Sequence, residues 1–266
     1  MHSRSPAKGE LLQASGNLNV DAYGFLQIDG GFALRKSIEQ IQLAGSSAVQ
    51  NVDVLTIGAS NASAFAGLNG GTGDAMGLNL GGVEFGLAMM REQVGSGTAR
   101  NWTALQAIAG SASFSGVQGL TLAADDISVQ INQGAADHSV IDFAALQLDV
   151  PIGPGIDLTL DMAGADGELL KASGHIALDV FGFLQLDGNF AIHKKTSSLN
   201  LEGGTGPVSV DFLTIGGANI NAFAGLNGGT EQAVGLALGG VNFGLVMASE
   251  TLATGSTVAP RQWTSL

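Results

Sequence analysis

The 266-residue chain has no cysteine, five prolines, one tyrosine and two tryptophans, and only 12% of its residues are charged. The missing cysteine excludes disulfide scaffolds, thiol nucleophiles and cysteine-rich zinc sites. Basic residues are scarce, ten against 23 acidic ones, which leaves a net charge of -13 and an isoelectric point near 4.4. Such a surface repels phosphate backbones, so nucleic acid is not expected as a partner. No run approaches the ~18 apolar residues of a transmembrane helix. One tyrosine and two tryptophans are also too few for the two aromatic girdles of a transmembrane barrel, and the chain reads as not membrane-spanning.

Glycine is what the chain has in excess. It contains 41 glycines, about twice the usual share, without a Gly-X-Y period and with too little proline for collagen. Each glycine weakens a helix by about 1 kcal/mol relative to alanine, so an all-helical fold is not expected. A hydrophobic content of 45% and a mean hydropathy of +0.29 exclude a disordered chain. An acidic, cysteine-free, lysine-poor chain rich in Ser, Thr, Asn and Gly fits a secreted or cell-surface bacterial protein.

Laid against itself with a shift of 158 residues, the chain declares a repeat. Val52 to Met89 matches Val210 to Met247 at 27 of 38 positions, and Gly9 to Lys36 matches Gly167 to Lys194 at 17 of 28. The shift then becomes 161, because Arg100, Trp102, Thr103 and Leu105 return as Arg261, Trp263, Thr264 and Leu266. Residues 1–8 form a leader without an apolar stretch, 9–166 a first full period, and 167–266 a partial second period continuous with it. This organisation reads as a piece of a longer tandem array. A weaker echo of Leu55 to Leu87 in Leu105 to Ile131 points to a β-hairpin module of about 40–50 residues, with four modules per period, stacking on nearest neighbours.

Period-two alternation marks the strands. Along Asn17 to Leu34 one parity reads Leu18, Val20, Ala22, Leu26, Ile28, Phe32, Leu34, while the other carries Asn19, Asp21, Gln27 and Asp29. The same split recurs in Ile176 to Ile192, Ile156 to Met162 and Val140 to Val150. Asn69-Gly70-Gly71, Asn227-Gly228-Gly229, Gly153-Pro154-Gly155 and Asp166-Gly167 supply turn chemistry. Whether Gly24 and Gly182 bend one long strand or turn between two stays open at this level. The expected fold is all-β: about twelve strands in antiparallel hairpin repeats, forming a curved sheet in a solenoid-like or barrel-like stack. Gly58, Gly77, Gly81, Gly82 and Gly86 return as Gly216, Gly235, Gly239, Gly240 and Gly244, and strand glycine at matching places suggests layers in close approach.

Candidate chemistry is thin. His175 and His193 face Asn17 and Arg35 across the repeat, His138 lies in a turn and His2 in the leader, so no histidine metal site is repeated with the fold. Neither Gly-x-Ser-x-Gly, His-Glu-x-x-His nor a phosphate-binding loop occurs, and the chain is read as non-catalytic. The acids present in both copies are Glu10 and Glu168, Asp21 and Asp179, Asp29 and Asp187, Asp53 and Asp211. Asp125 and Asp126 add an unrepeated pair. They are spread singly, which favours solvation over a calcium site, so no cofactor is expected, with calcium the one metal to weigh. The candidate partner-stacking aromatics are Tyr23, Phe25, Trp102, Phe181, Phe183 and Trp263, since exposed rings on a polar strand face can stack on sugars or on a partner.

The segments from Trp102 to Ala107, Gly110 to Leu122, Val180 to Gly188 and Ala222 to Gly229 resemble the long tandem repeats of giant secreted or surface-attached bacterial proteins, often described as adhesin-like or hemolysin-like. The resemblance covers nearly all of 9–266 and names a style of repeat rather than a mechanism. It implies an extracellular stalk or adhesive filament whose partners are neighbouring repeats and a cell-surface or polysaccharide ligand. A fainter likeness to the hairpin-repeat grooves of bacterial lipid-transfer proteins implies the alternative, a carrier of lipid or another hydrophobic ligand.

Overall fold

The computed structural model describes residues 11–203, 206–252 and 259–266; the leader 1–8 and Glu10 lie outside them. The fold is all-β. Its strands are β1 (Leu12–Ala22), β2 (Leu26–Gln42), β3 (Val49–Leu68), β4 (Met76–Glu92), β5 (Asn101–Ser115), β6 (Leu120–Gln133), β7 (Leu148–Gly153), β8 (Ile156–Leu160), β9 (Leu169–Val180), β10 (Leu184–Asn200), β11 (Pro207–Leu226), β12 (Val234–Glu250) and β13 (Gln262–Ser265). Eleven of them form one antiparallel sheet in the order β1-β2-β3-β4-β5-β6-β9-β10-β11-β12-β13, and β7-β8 is a separate hairpin. The sheet is open, with β1 and β13 as edges, and does not close into a barrel.

Each hairpin adds to the previous one, and the repeat boundary leaves no seam. After 35 intervening residues β6 pairs with β9, Leu122 opposite Leu178 and Ile131 opposite Leu170, in the antiparallel geometry used within each repeat. Three of the four hairpins of a period therefore lie in the ribbon. The fourth, β7-β8, leaves it.

The sheet's two faces differ along its length. Leu34, Ile57, Leu87, Leu105, Ile131 and Leu170 stand opposite one another across six strands. Leu26, Ala66, Leu78, Phe114, Leu122 and Leu178 form a second row nearer the hairpin tips. Leu26 and Leu34 share a parity on β2, so both rows belong to one apolar face that no other layer covers. The opposite face is polar near the tips, with Asp21, Gln27, Phe65 and Asn79 in register.

The core lies on this second face, toward the strand ends away from those tips. Residues 134–168 cross β2 to β5 there and bury Val52, Val54, Ala88, Met90, Trp102 and Ala104 under Ile141, Phe143, Val150, Ile152 and Leu160. Each fully buried large apolar side chain contributes about 1.5–3 kcal/mol, so this one cluster is the main store of hydrophobic stabilisation in the fold. Glycine admits the hairpin. A methyl group on Gly58 would lie 2.7 Å from the Ile152 Cα, and one on Gly86 3.1 Å from the Val150 Cβ. Of the strand glycines read as marking close approach, Gly58 and Gly86 meet the β7-β8 hairpin, whereas Gly77 faces Gly67 of the neighbouring strand and Gly240 and Gly244 meet nothing within 4 Å.

One open question closes and one expectation changes in detail. Gly24 and Gly182 are turns: Tyr23-Gly24 and Phe181-Gly182 all have φ between +52° and +68°, as in a type I′ turn, closed by the Phe25 N–H to the Ala22 carbonyl and the Phe183 N–H to the Val180 carbonyl. The alternation of Val140 to Val150 forms a strand only from Leu148. Ahead of it the chain is held by side chains instead: Asn132 Nδ2 donates to the Ile141 carbonyl at 2.8 Å, and Asp142 Oδ1 accepts from the Gly164 N–H at 3.0 Å.

Candidate functional site

The hairpin tips at one end of the ribbon carry the exposed aromatic residues. Tyr23 is 96% exposed and Phe25, Phe181 and Phe183 are 57–58% exposed. Each pair sits on a rigid loop. Asp21 accepts from the Gly24 N–H at 2.8 Å and from Gln27 Nε2 at 2.9 Å; Asp179 does the same with Gly182 and Gln185, both at 2.7 Å. These bonds to Gln27 and Gly24, and to Gln185 and Gly182, hold both carboxyls below the ordinary aspartate range. The repeated Asp21 and Asp179 are therefore turn anchors.

The next tip braces the loop. Gly67 and Gly70 donate backbone N–H bonds to the carbonyls of Phe25 and Gly24, and Gly225 and Gly228 repeat this to Phe183 and Gly182. The Phe181 N–H additionally donates to the Gly119 carbonyl at 2.7 Å. A bulky L-residue in the left-handed region costs about 1–2 kcal/mol, a cost Asn or Gly avoids. Tyr23 and Phe181 occupy it at φ 53° and 52°; the Tyr23 ring stands out in solvent, and the Phe181 ring lies over Gly119 and is still 58% exposed. Strain of this kind persists where surrounding structure imposes it, and it clusters at functional positions.

The tryptophans belong elsewhere. Trp102 is 2% exposed and its indole N–H donates to the Ser139 carbonyl at 2.9 Å, so it lies in the core under the inserted segment. Trp263 is 38% exposed. Both rings are covered by an arginine, Arg100 at 5.1 Å and Arg261 at 5.9 Å, and each arginine is clamped by a glutamate, Glu92 at 2.6 Å or Glu250 at 2.7 Å. The structure thus divides the six candidates into four rings at the tips and two at the far strand ends.

The other repeated acids among the described residues have local partners. Asp29 accepts from Asn19 at 2.9 Å, Asp53 from Gln93 at 2.8 Å and Asp211 from Thr196 at 2.6 Å. His138 Nδ1 lies 3.4 Å from Glu168, and His175 Nε2 3.3 Å from Asp187. Among the described residues no three acidic or imidazole side chains converge on a point where a metal would bind, and no helix is long and apolar enough to cross a membrane. Sequence reasoning missed that Tyr23 and Phe181 are turn residues; the Asp-x-x-Gly spacing of Asp21 to Gly24 and Asp179 to Gly182 is the signal that could have found it. Comparisons with family models, with curated proteins and with solved structures return no match.

Proposed function

We propose that the chain is a structural and interaction segment of an extracellular bacterial filament or adhesin, without catalysis. The observation that carries this reading is the recurrence of Tyr23-Phe25 as Phe181-Phe183, exposed at braced and strained tips along one edge of the ribbon. The pairs stand six strands apart in the sheet, roughly 29 Å at the usual inter-strand spacing. Such an edge suits a partner that is itself extended or periodic, such as a cell-surface polysaccharide, whose sugar rings stack on aromatic faces. The continuous β6-β9 pairing supports the filament part, since it lets repeats extend one sheet rather than form beads.

Retention on a panel of insoluble polysaccharides and on bacterial cells tests the reading. The variant carrying Tyr23→Ser, Phe25→Ser, Phe181→Ser and Phe183→Ser loses retention while its melting curve stays intact. Equal retention of variant and parent overturns the adhesive role of the tips.

The uncovered apolar rows favour a second reading, a carrier of lipid or another hydrophobic ligand held on that face. Mass spectrometry of the purified protein under native conditions separates the two: co-purifying lipid supports the carrier, and lipid-free protein removes it.

A further inference from the structure

The sheet face that holds residues 134–168 in the first repeat recurs in the second, where among the described residues only the end of that segment reaches it, Asp166 lying 3.9 Å from Lys195 of β10. Gly58 and Gly86, which admit the β7 backbone, return as Gly216 and Gly244; a methyl group on Gly244 would meet no atom within 4 Å, and one on Gly216 only the Phe243 carbonyl oxygen at 3.8 Å. Trp102 at 2% and Ile41 at 1% exposure return as Trp263 at 38% and Leu199 at 39%.

The differences between the two faces compensate across strands. Val54 opposite Met90 becomes Phe212 opposite Ala248, a large side chain and a small one exchanged between neighbours. Gly31 opposite Ser60 becomes Asn189 opposite Ala218, so the polar group moves to the facing strand. The first exchange keeps the combined bulk of the pair, and the second keeps one polar group on the face.

Polar features agree. Arg35 Nη2 donates to the Asp149 carbonyl of β7 at 3.0 Å. His193 stands in its place, with Nε2 buried and without a partner among the described residues. Arg100, clamped to Glu92, reaches Asp137 of the inserted segment at 3.5 Å; Arg261 keeps the glutamate clamp at 2.7 Å.

We propose that the β10–β13 face is a docking surface for a hairpin segment built like residues 134–168, supplied by a further unit of the same kind. The occupant presents an apolar strand resembling Leu148–Gly153 over Gly216 and Gly244 and an acidic side chain to Arg261. The inference rests on the equivalence of the two repeats and is independent of what the aromatic tips bind.

The test extends the whole chain. Residues 106–168 are copied after Leu266, which is the equivalent of Leu105, so that the copy supplies a sixth strand and a hairpin. The copied segment contains no tryptophan, and acrylamide quenching therefore reports on Trp102 and Trp263 alone. In the parent chain the exposed Trp263 is quenched and Trp102 is protected; in the extended chain both are protected and the emission moves to shorter wavelength. A second extended chain, with the copied equivalents of Val150 and Ile152 changed to Asp, keeps the added strand and returns Trp263 to the quencher. The proposal is overturned if Trp263 is quenched equally in the parent and extended chains, or if the aspartate-bearing extension protects it as well as the native one.

Discussion

Trp102 and Trp263 occupy the same place in the sheet, Trp102 opposite Met90 and Trp263 opposite Ala248, yet one ring is 2% exposed and the other 38%. The strands beneath them are equivalent. The difference is the inserted segment 134–168, which lies over the first ring and supplies the Ser139 carbonyl to its indole N–H. Truncating a buried Trp to Ala costs about 3–5 kcal/mol. Trp102→Ala is therefore expected to lower stability by that amount in urea unfolding, and Trp263→Ala by less than half as much. Equal losses would mean that the inserted segment is not what stabilises Trp102.

The glycines give a sharper contrast. Gly58→Ala and Gly86→Ala push a methyl group into the backbone or side chains of β7, and overpacking of this sort costs about 1–3 kcal/mol. Gly244→Ala meets open space and reduces the freedom of the unfolded chain, so it is expected to be neutral or to stabilise by about 0.4–1 kcal/mol. Thermal melts of the three variants check the sign of each change.

At the tips, Tyr23→Asn and Phe181→Asn place a residue that tolerates the left-handed region where an aromatic now stands. Each is expected to raise stability by about 0.5–1 kcal/mol, while weakening any binding that depends on the rings. A loss of stability in both variants would show that the rings serve the fold rather than a partner.

Acid should release the inserted segment before it unfolds the ribbon. The Arg100 guanidinium holds the Glu92 carboxyl below its ordinary value, and Ser139, with Arg100 adding to it, does the same for Asp137. A carboxyl whose folded pKa is depressed contributes stability above its unfolded value, about 4, and loses it as pH falls through the lower folded value. The pair is therefore expected to leave stability flat between about pH 8 and 5 and to withdraw it below about pH 4. Trp102 emission shifts to longer wavelength in that lower window. Arg100→Met removes the depression of Glu92 and makes the acid loss shallower, which a pH series of urea midpoints measures.

Much of the ribbon was legible in the sequence because a half-buried strand writes its period directly. The alternation from Leu18 to Leu34 and the 158-residue return of Val52 to Met89 carry the strand type, the hairpins and the repeat. Local spacing does not carry what happens between elements. Gly58 and Gly86 reveal a close approach but not that the approaching layer is Leu148–Gly153, some 60 to 90 positions away. Trp102 and Trp263 share the pattern Arg-x-Trp-Thr-x-Leu yet differ in exposure, since burial is decided by a distant segment. Tyr23 fell on the polar parity by count alone; its position at φ 53° is a turn property that alternation cannot express.

The two repeats extend one continuous sheet. Small-angle scattering of chains carrying one, two and three tandem copies of residues 9–166 tests this most directly, because each six-strand unit adds a fixed width. The predicted result is a sheet that widens by roughly 29 Å per added unit at the usual strand spacing, so that the maximum dimension, set at first by strands of up to 20 residues, rises by roughly 15–20 Å per unit. Growth of only a few ångströms per unit, as for a sheet that curls closed or for units that clump, would contradict it.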